Sequence, residues 1–403
     1  MLSLDDVLEA RPRVERVARR TPLDYSHTFS RMTGAEIHLK LENFQRTGAF
    51  KIRGATNRIA TLSPEVRENG VVTASAGNHA QGVALAATRA GVDATVVMPE
   101  YAPISKVNAT RRYGARVVLH GVDYSEAQQR AHEIEAEEGR TYVHAFDDPA
   151  VMAGQGTLGL EIVEQCPEVE TVVVGIGGGG LISGVATAVK AKSPGTRVVG
   201  VQAEGASSLK PSLERGEIVE LDAVDTIADG IATRRVGDRT FEVIRERVDE
   251  VVTVSDEEIA MAVTHLLERS KALVEGAGAV PLAAVLAEAF DYDDEEVIVP
   301  ALCGGNIDLN VLTTVLMRGL VETGRYLRIR TILKDRPGAL LHLTDIITEH
   351  RTNIHAIHHD RTSKDVAMNA AEVELDLETR GEKHVAELLT DLREHGYAVE
   401  VLV

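Results

Sequence analysis

Four short stretches of this chain combine residue types able to act on a small molecule. The first is Gly48-Ala49-Phe50-Lys51-Ile52-Arg53-Gly54-Ala55. Apolar residues Phe50, Ile52, Ala55, Ile59 and Leu62 follow at roughly helical spacing, which predicts a helix with Lys51 near its first turn, opening after a Gly-containing loop. A lysine attacks an aldehyde only as the neutral amine. The positive end of a helix dipole and partial burial both disfavour the ammonium form. The second stretch is Ser75-Ala76-Gly77-Asn78-His79-Ala80-Gln81-Gly82, a turn of small polar residues whose amides and side chains can point at a carboxylate. The third, Gly177-Gly178-Gly179-Gly180-Leu181, follows an apolar run, so its backbone N–H groups can converge on a phosphate at the start of a helix. The fourth is Cys303-Gly304-Gly305-Asn306. Taken alone, Lys51 would be an ordinary surface lysine, Ser75 to Gly82 a helix-capping loop and Cys303 a small core residue. It is their conjunction that points to chemistry.

One competing reading belongs to the glycine row. Gly175-Ile176-Gly177-Gly178-Gly179-Gly180 also fits the dinucleotide pattern G-x-G-x-x-G, and Glu204 ends the next predicted strand, where a ribose-binding acid would stand. The position deep in the chain, the four consecutive glycines and the Lys51 stretch weigh against a nicotinamide enzyme.

These stretches must be held by regular elements, and the pattern supplies them. Ser3 caps a first helix with Asp5 and Asp6 in its opening turn. Residues 36–42 alternate as a strand leading toward the lysine loop, 71–74 form a strand before the Ser75 turn, and a helix runs on to about residue 89. Further β-branched runs lie at 95–98 and 116–119, then at 172–176, 198–202 and 297–302. Strands alternating with helices at this spacing predict parallel α/β units, here two parallel-sheet bodies with a cleft between them. From Tyr326 the pattern changes to strand, the turn Asp335-Arg336-Pro337-Gly338, a helix to about 349, strands at 354–358 and 366–377, a helix at 382–394 and a last strand at 398–403. That order is a βαββαβ unit.

The chain has 403 residues and 44% hydrophobic content, enough for more than one domain and a large core. A formal charge of −19 argues against nucleic acid or an anionic membrane as partner. Two cysteines, Cys166 and Cys303, make no disulfide framework and suit a reducing cytoplasm, and the acidic start Met1-Leu2-Ser3-Leu4-Asp5-Asp6 has no secretory pattern. The uncharged run 171–189 is too rich in glycine for a membrane helix.

In this order and at these places, the four stretches resemble the fold type II pyridoxal phosphate enzymes, particularly threonine and serine dehydratases and serine racemase. The resemblance implies a catalytic part at 1–324, with a smaller body at about 46–145 inserted in the larger one. It implies pyridoxal 5'-phosphate on Lys51, contacted by Phe50, Asn78, Gly177, Gly178, Gly179, Gly180, Leu181 and Cys303. The substrate α-carboxylate would lie on Ser75, Gly77, Asn78 and His79, and Lys51 would serve as the base that takes the α-proton. Cys303 would face the ring nitrogen, where a thiol is too weak an acid to protonate it. The expected reaction is conversion of L-threonine to 2-oxobutanoate and ammonia, with L-serine giving pyruvate more slowly. In serine racemase the position of Ala76 is a serine that carries the second proton, so elimination is favoured here over racemisation. Racemase-like relatives bind a divalent metal between two acids; Glu204 and Ser208 match that pattern, but Lys210 stands in place of the second acid, so no metal is expected. The tail at 325–403 resembles an ACT domain through Asp335-Arg336-Pro337-Gly338-Ala339-Leu340 and Asn353-Ile354. It implies an amino-acid effector, isoleucine foremost, and a homo-oligomer, dimer or tetramer.

Overall fold

In the computed structural model, which describes residues 1–362 and 366–403, the chain divides into two units, Met1–Asp308 and Leu309–Val403. The first unit opens on a helix, Leu4–Val14, capped by Ser3 with Asp5 and Asp6 in its first turn. The chain then lays down β1 (Leu23–Tyr25) and β2 (Glu36–Lys40), leaves to build a second sheet from β3 (Val71–Ala74), β4 (Ala94–Met98), β5 (Arg116–Leu119) and β6 (Thr141–Tyr142), and returns through β7 (Thr171–Gly175), β8 (Arg197–Ala203), β9 (Glu250–Val254) and β10 (Val297–Pro300). The larger sheet has the order β1-β2-β10-β7-β8-β9, and the smaller one β5-β4-β3-β6. Every pairing in them is parallel except that of β1 with β2, which is antiparallel at the sheet edge. Central strands are buried on both faces, so β3, β4 and most of β7 read as continuous β-branched runs.

The helix Lys51–Ala60 crosses the helix Pro149–Gln165 at close range. A Cβ on Gly154 would stand 2.6 Å from the Arg53 carbonyl oxygen, and one on Gly54 would stand 2.8 Å from that of Val151, so only glycine admits this approach. Beneath the crossing lies a cluster of buried charges. Arg53 Nε donates to Glu42 Oε1 at 2.6 Å and its Nη1 to Glu161 Oε1 at 2.7 Å, while Lys40 Nζ donates to Glu161 Oε2 at 2.7 Å. Arg53 and Glu42 are 1% and 0% exposed. Burial works against the Arg53 charge, but Glu42 and Glu161 hold the guanidinium above its ordinary pKa.

The second unit begins with the helix Leu309–Glu322. It continues through β11 (Tyr326–Lys334), the helix Ala339–Glu349, β12 (Asn353–Asp360), β13 (Ala370–Glu378), the helix Glu382–Glu394 and β14 (Glu400–Val401). Its sheet is antiparallel, β12-β13-β11-β14, and the two βαββαβ helices pack on it through Leu343, Ile347, Leu388 and Leu392 against Ile329, Val373 and Leu375. β13 starts at Ala370, later than the residue 366 expected from sequence, because the Ala370 amide closes a turn on the Ala367 carbonyl. No helix among the described residues is long and apolar enough to cross a membrane.

Removing one partner from a buried ion-pair cluster leaves the others uncompensated. Arg53→Met should therefore lower the unfolding free energy by about 3–5 kcal/mol. Urea unfolding followed by far-ultraviolet circular dichroism checks this, and a loss near zero would show that the cluster is dispensable.

Candidate active site

The functional side chains stand on loops at the ends of strands and on the first turns of helices. Lys51 is the first residue of its helix, after Phe50, whose amide donates to the Cys303 carbonyl at 3.3 Å. Gly305 donates to the Gly48 carbonyl at 2.8 Å, and Ala49 forms an isolated bridge with Gly304. The lysine loop and the Cys303 stretch, far apart in sequence, are thus laid side by side.

Lys51 Nζ donates to the Ala145 carbonyl at 2.9 Å and lies 5.1 Å from the Phe50 ring centre. Among the described residues it has no carboxylate partner. Burial brings its pKa down to about 8. A neutral amine is then available near neutral pH.

The Ser75 turn follows β3, and the helix Asn78–Ala90 starts directly after it. Ser75 spends its amide on the Val97 carbonyl, and its Oγ accepts the Gly77 amide at 3.1 Å, which leaves the Ser75 hydroxyl hydrogen to give. The amides of Ala76, Asn78 and His79 donate to no protein acceptor among the described residues, so they form the donor set of this turn. Gly77 contributes room instead of its amide: a Cβ there would meet nothing within 4 Å. The His79 ring is turned into the core, where Nε2–H donates to the Val143 carbonyl at 3.0 Å. Burial first, and then Lys51, lower its pKa to about 3, so His79 is neutral and offers the site only its backbone N–H.

The glycine row opens the helix Gly180–Lys192, with Gly179 in the left-handed region at φ 92° as its cap. None of the amides from Gly177 to Leu181 donates to a protein acceptor among the described residues. Side chains are excluded: a Cβ on Gly178 would strike the Phe146 ring, and one on Gly180 would lie 2.8 Å from the Phe146 backbone. The segment carrying Phe146 also carries Ala145, the partner of Lys51, so the amine and the amide row flank one stretch of chain. Thr240 Oγ1 steadies the row by donating to the Gly178 carbonyl at 2.7 Å.

Cys303 is buried beyond β10, and burial, followed by Glu42, pushes its thiol pKa well above the ordinary value. It is a neutral S–H. Of the three residues weighed as a metal pattern, Ser208 is buried, while Glu204 and Lys210 are exposed and form no ion pair with each other. Among the described residues no three His, Cys, Asp or Glu side chains form a metal-binding group.

Two residues were without a role in the sequence reading. Asn78 Nδ2 donates to Glu275 Oε1 at 2.6 Å, and Asn306 Nδ2 donates both to Asn78 Oδ1 at 2.8 Å and to the Thr47 carbonyl at 2.6 Å. Glu275 stands immediately before the helix Gly276–Leu286, and its only sequence signal is an acid preceding a run of small apolar residues. Asn306 lay within a motif already noted, but its reach to Asn78 could not be read.

A primary amine of lowered pKa, an amide cradle at a helix start and a neutral thiol together suit pyridoxal phosphate: the amine its aldehyde, the cradle its phosphate. Comparison with known proteins agrees. Residues 14–304 match the model of the pyridoxal-phosphate dependent enzyme family, and residues 325–400 match that of the ACT domain. Two proteins described as L-threonine ammonia-lyase are each 50% identical over the whole of both chains, one from Thermotoga maritima over 402 residues and one from Geobacter sulfurreducens over 403. The processed form of threonine deaminase isoform 2 from Solanum lycopersicum superposes with a TM-score of 0.76 at 40% identity, covering 79% of this chain and 87% of that one.

The lowered pKa makes a direct prediction for the cofactor-free protein. Labelling of Lys51 by trinitrobenzenesulfonate, followed by peptide mapping, should rise with pH and level off above about 8, while ordinary lysines continue to rise toward about 10.4. A Lys51 midpoint among the ordinary lysines would remove the neutral amine from the argument.

Proposed function

The chain belongs to the pyridoxal-phosphate dependent enzymes, and from that premise we propose its reaction: it is a lyase that converts L-threonine to 2-oxobutanoate and ammonia, and L-serine to pyruvate. The observation that carries the reaction class is the Lys51 amine, lowered in pKa by burial and without a carboxylate partner among the described residues, beside the amide cradle. Full-length identity to two L-threonine ammonia-lyases carries the substrate.

When bound, pyridoxal phosphate supplies an electron sink for the substrate's α-carbon. Gly177, Gly178, Gly179, Gly180 and Leu181 would hold its phosphate, Asn78 its phenolic oxygen, Phe50 its ring and Cys303 its ring nitrogen. The neutral thiol of Cys303 would leave that nitrogen unprotonated. The Ser75 hydroxyl and the amides of Ala76, Asn78 and His79 hold the substrate carboxylate. Lys51 Nζ would accept the α-proton as the neutral amine. The β-hydroxyl departs as water, and one water is consumed as ammonia is released, so the net change is loss of ammonia. Ala76 favours this course over racemisation, because its methyl packs on the core of the smaller body and carries no proton for the opposite face.

Lys51→Ala should abolish turnover of threonine. Borohydride should fix the cofactor to the wild-type Lys51 peptide and leave the variant unlabelled; substantial elimination by the variant would sink the assigned role.

The tail adds regulation. For it we infer an amino-acid effector near Asp335-Arg336-Pro337-Gly338-Ala339-Leu340, where Gly338 at φ 87° caps the helix Ala339–Glu349 and the amides of Leu340 and Leu341 donate to no protein acceptor among the described residues, in an oligomer whose tails meet. Isoleucine, a product that can be made from 2-oxobutanoate, is the expected inhibitor and valine its antagonist. Free Cys166 and Cys303 support a cytoplasmic location. Functionally we draw the boundary after Gly324, a reading supported by the ACT-domain match from residue 325, although the compact units divide after Asp308.

Isoleucine should shift the apparent threonine affinity of the intact enzyme by roughly 5- to 150-fold, the range of ordinary allosteric coupling. A protein truncated after Gly324 should turn over threonine without that response, and light scattering on both should report a dimer or tetramer for the intact form. Indifference of the intact enzyme to isoleucine, valine and other amino acids would reduce the tail to an assembly module.

A further inference from the structure

The amide of Asn78 is held between two groups. On one side the Thr47 carbonyl, which can only accept, obliges Asn306 to face it with Nδ2; that same Nδ2 reaches Asn78 Oδ1. On the other side Glu275 Oε1 takes one hydrogen of Asn78 Nδ2. Asn78 is left with one N–H to give and no free orientation to choose, provided Glu275 is an acceptor.

Glu275 is itself seated by backbone: its amide donates to the Gly304 carbonyl at 3.0 Å, and a Cβ on Gly304 would collide with its carboxylate. The acid thus joins the helix Asn78–Ala90 of the smaller body to the loop after β10 of the larger one. Its position costs solvation. Nothing in the reaction steps given above uses it.

We propose that Glu275 is a positioning residue that fixes the Asn78 amide, so that a single Nδ2–H, and not Oδ1, is turned toward the bound cofactor's phenolic oxygen. This rests on the reading of Asn78 as a cofactor contact. An ionised Glu275 accepts only, and enforces the orientation; a protonated Glu275 can either accept from Nδ2 or donate to Oδ1, and so releases it. Burial raises the Glu275 pKa and Asp229 acts in the same sense, while Asn78, Lys106 from the helix Ile104–Arg112 and the Asn306 amide oppose them. The sign follows. The constraint is present above the raised pKa and is lost as pH falls through it, at a pH above the ordinary glutamate range near about 4.3.

The test uses the holoenzyme and Glu275→Gln, which keeps the shape of the side chain without its charge. Pyridoxal phosphate should bind this variant about tenfold more weakly, the scale of one charge-assisted hydrogen bond. An acid-side step in the visible absorption of the wild-type holoenzyme should be missing from it. Glu275→Asp, which keeps the charge, should recover the step at least in part. In an Asn78→Ala background the Glu275→Gln change should alter cofactor affinity less than about twofold, since the coupled partner is gone. Equal losses with and without Asn78, or an unchanged affinity and spectrum in Glu275→Gln, would overturn the proposal. Borohydride fixation of cofactor on Lys51 serves as the separate control: if wild type fails it, the functional reading fails; if wild type and Glu275→Gln both pass, only the role of Glu275 is in question.

Discussion

Everything in the catalytic unit leans on a guanidinium that water cannot reach. Arg53 lies two residues beyond Lys51 on the same helix, and it satisfies Glu42 beside β2 and Glu161 on the helix Pro149–Gln165. With Lys40 the cluster holds two positive and two negative charges, so it is neutral as a whole. Such a cluster adds little net stability over a well-packed apolar core, because desolvation offsets the attraction. What it adds is geometry. A planar fork bonded to two carboxylates has one acceptable arrangement, and this pins the helix whose first residue is Lys51.

The same unit contains two lysines in low-dielectric surroundings with opposite outcomes. Burial lowers the pKa of both Lys40 and Lys51. At Lys40 the carboxylates of Glu161 and Glu42 oppose that effect. At Lys51 the Ala145 carbonyl takes the place of a carboxylate, and among the described residues no anion holds the amine charged. Partner choice, more than depth, separates a structural lysine from a chemical one.

The parallel strands were legible in the sequence because burial on both faces leaves no alternation to confuse: 71–74, 95–98 and 172–176 are valine-rich runs that meet the observed strands within a residue. The four functional stretches were legible because glycine and small polar residues are required where backbone must approach a ligand. Strands β1, β6 and β9 were not anticipated. β6 has two residues, and β9 carries alternating exposure at the sheet edge, where neighbours and not composition define it. Glu275 and Asn306 illustrate the deeper limit. Their bonds to Asn78 span 197 and 228 residues, and nothing local distinguishes an acid that will find an amide at that distance from one that will face water.

Strand order carries a consequence for synthesis. β10 sits between β2 and β7, so the inner edges of both wait for residues 297–300, the last strand of the unit to be made. The smaller sheet, closed by residue 142, has no such wait. A nascent chain therefore carries two unpaired strand edges for more than a hundred residues of translation, the kind of surface that invites association with other chains and chaperone attention. Because Cys303 and Asn306 follow β10 directly, the event that seals the large sheet also delivers the last groups to the site. A ribosome-bound fragment short of that strand has Lys51 but not the wall opposite it.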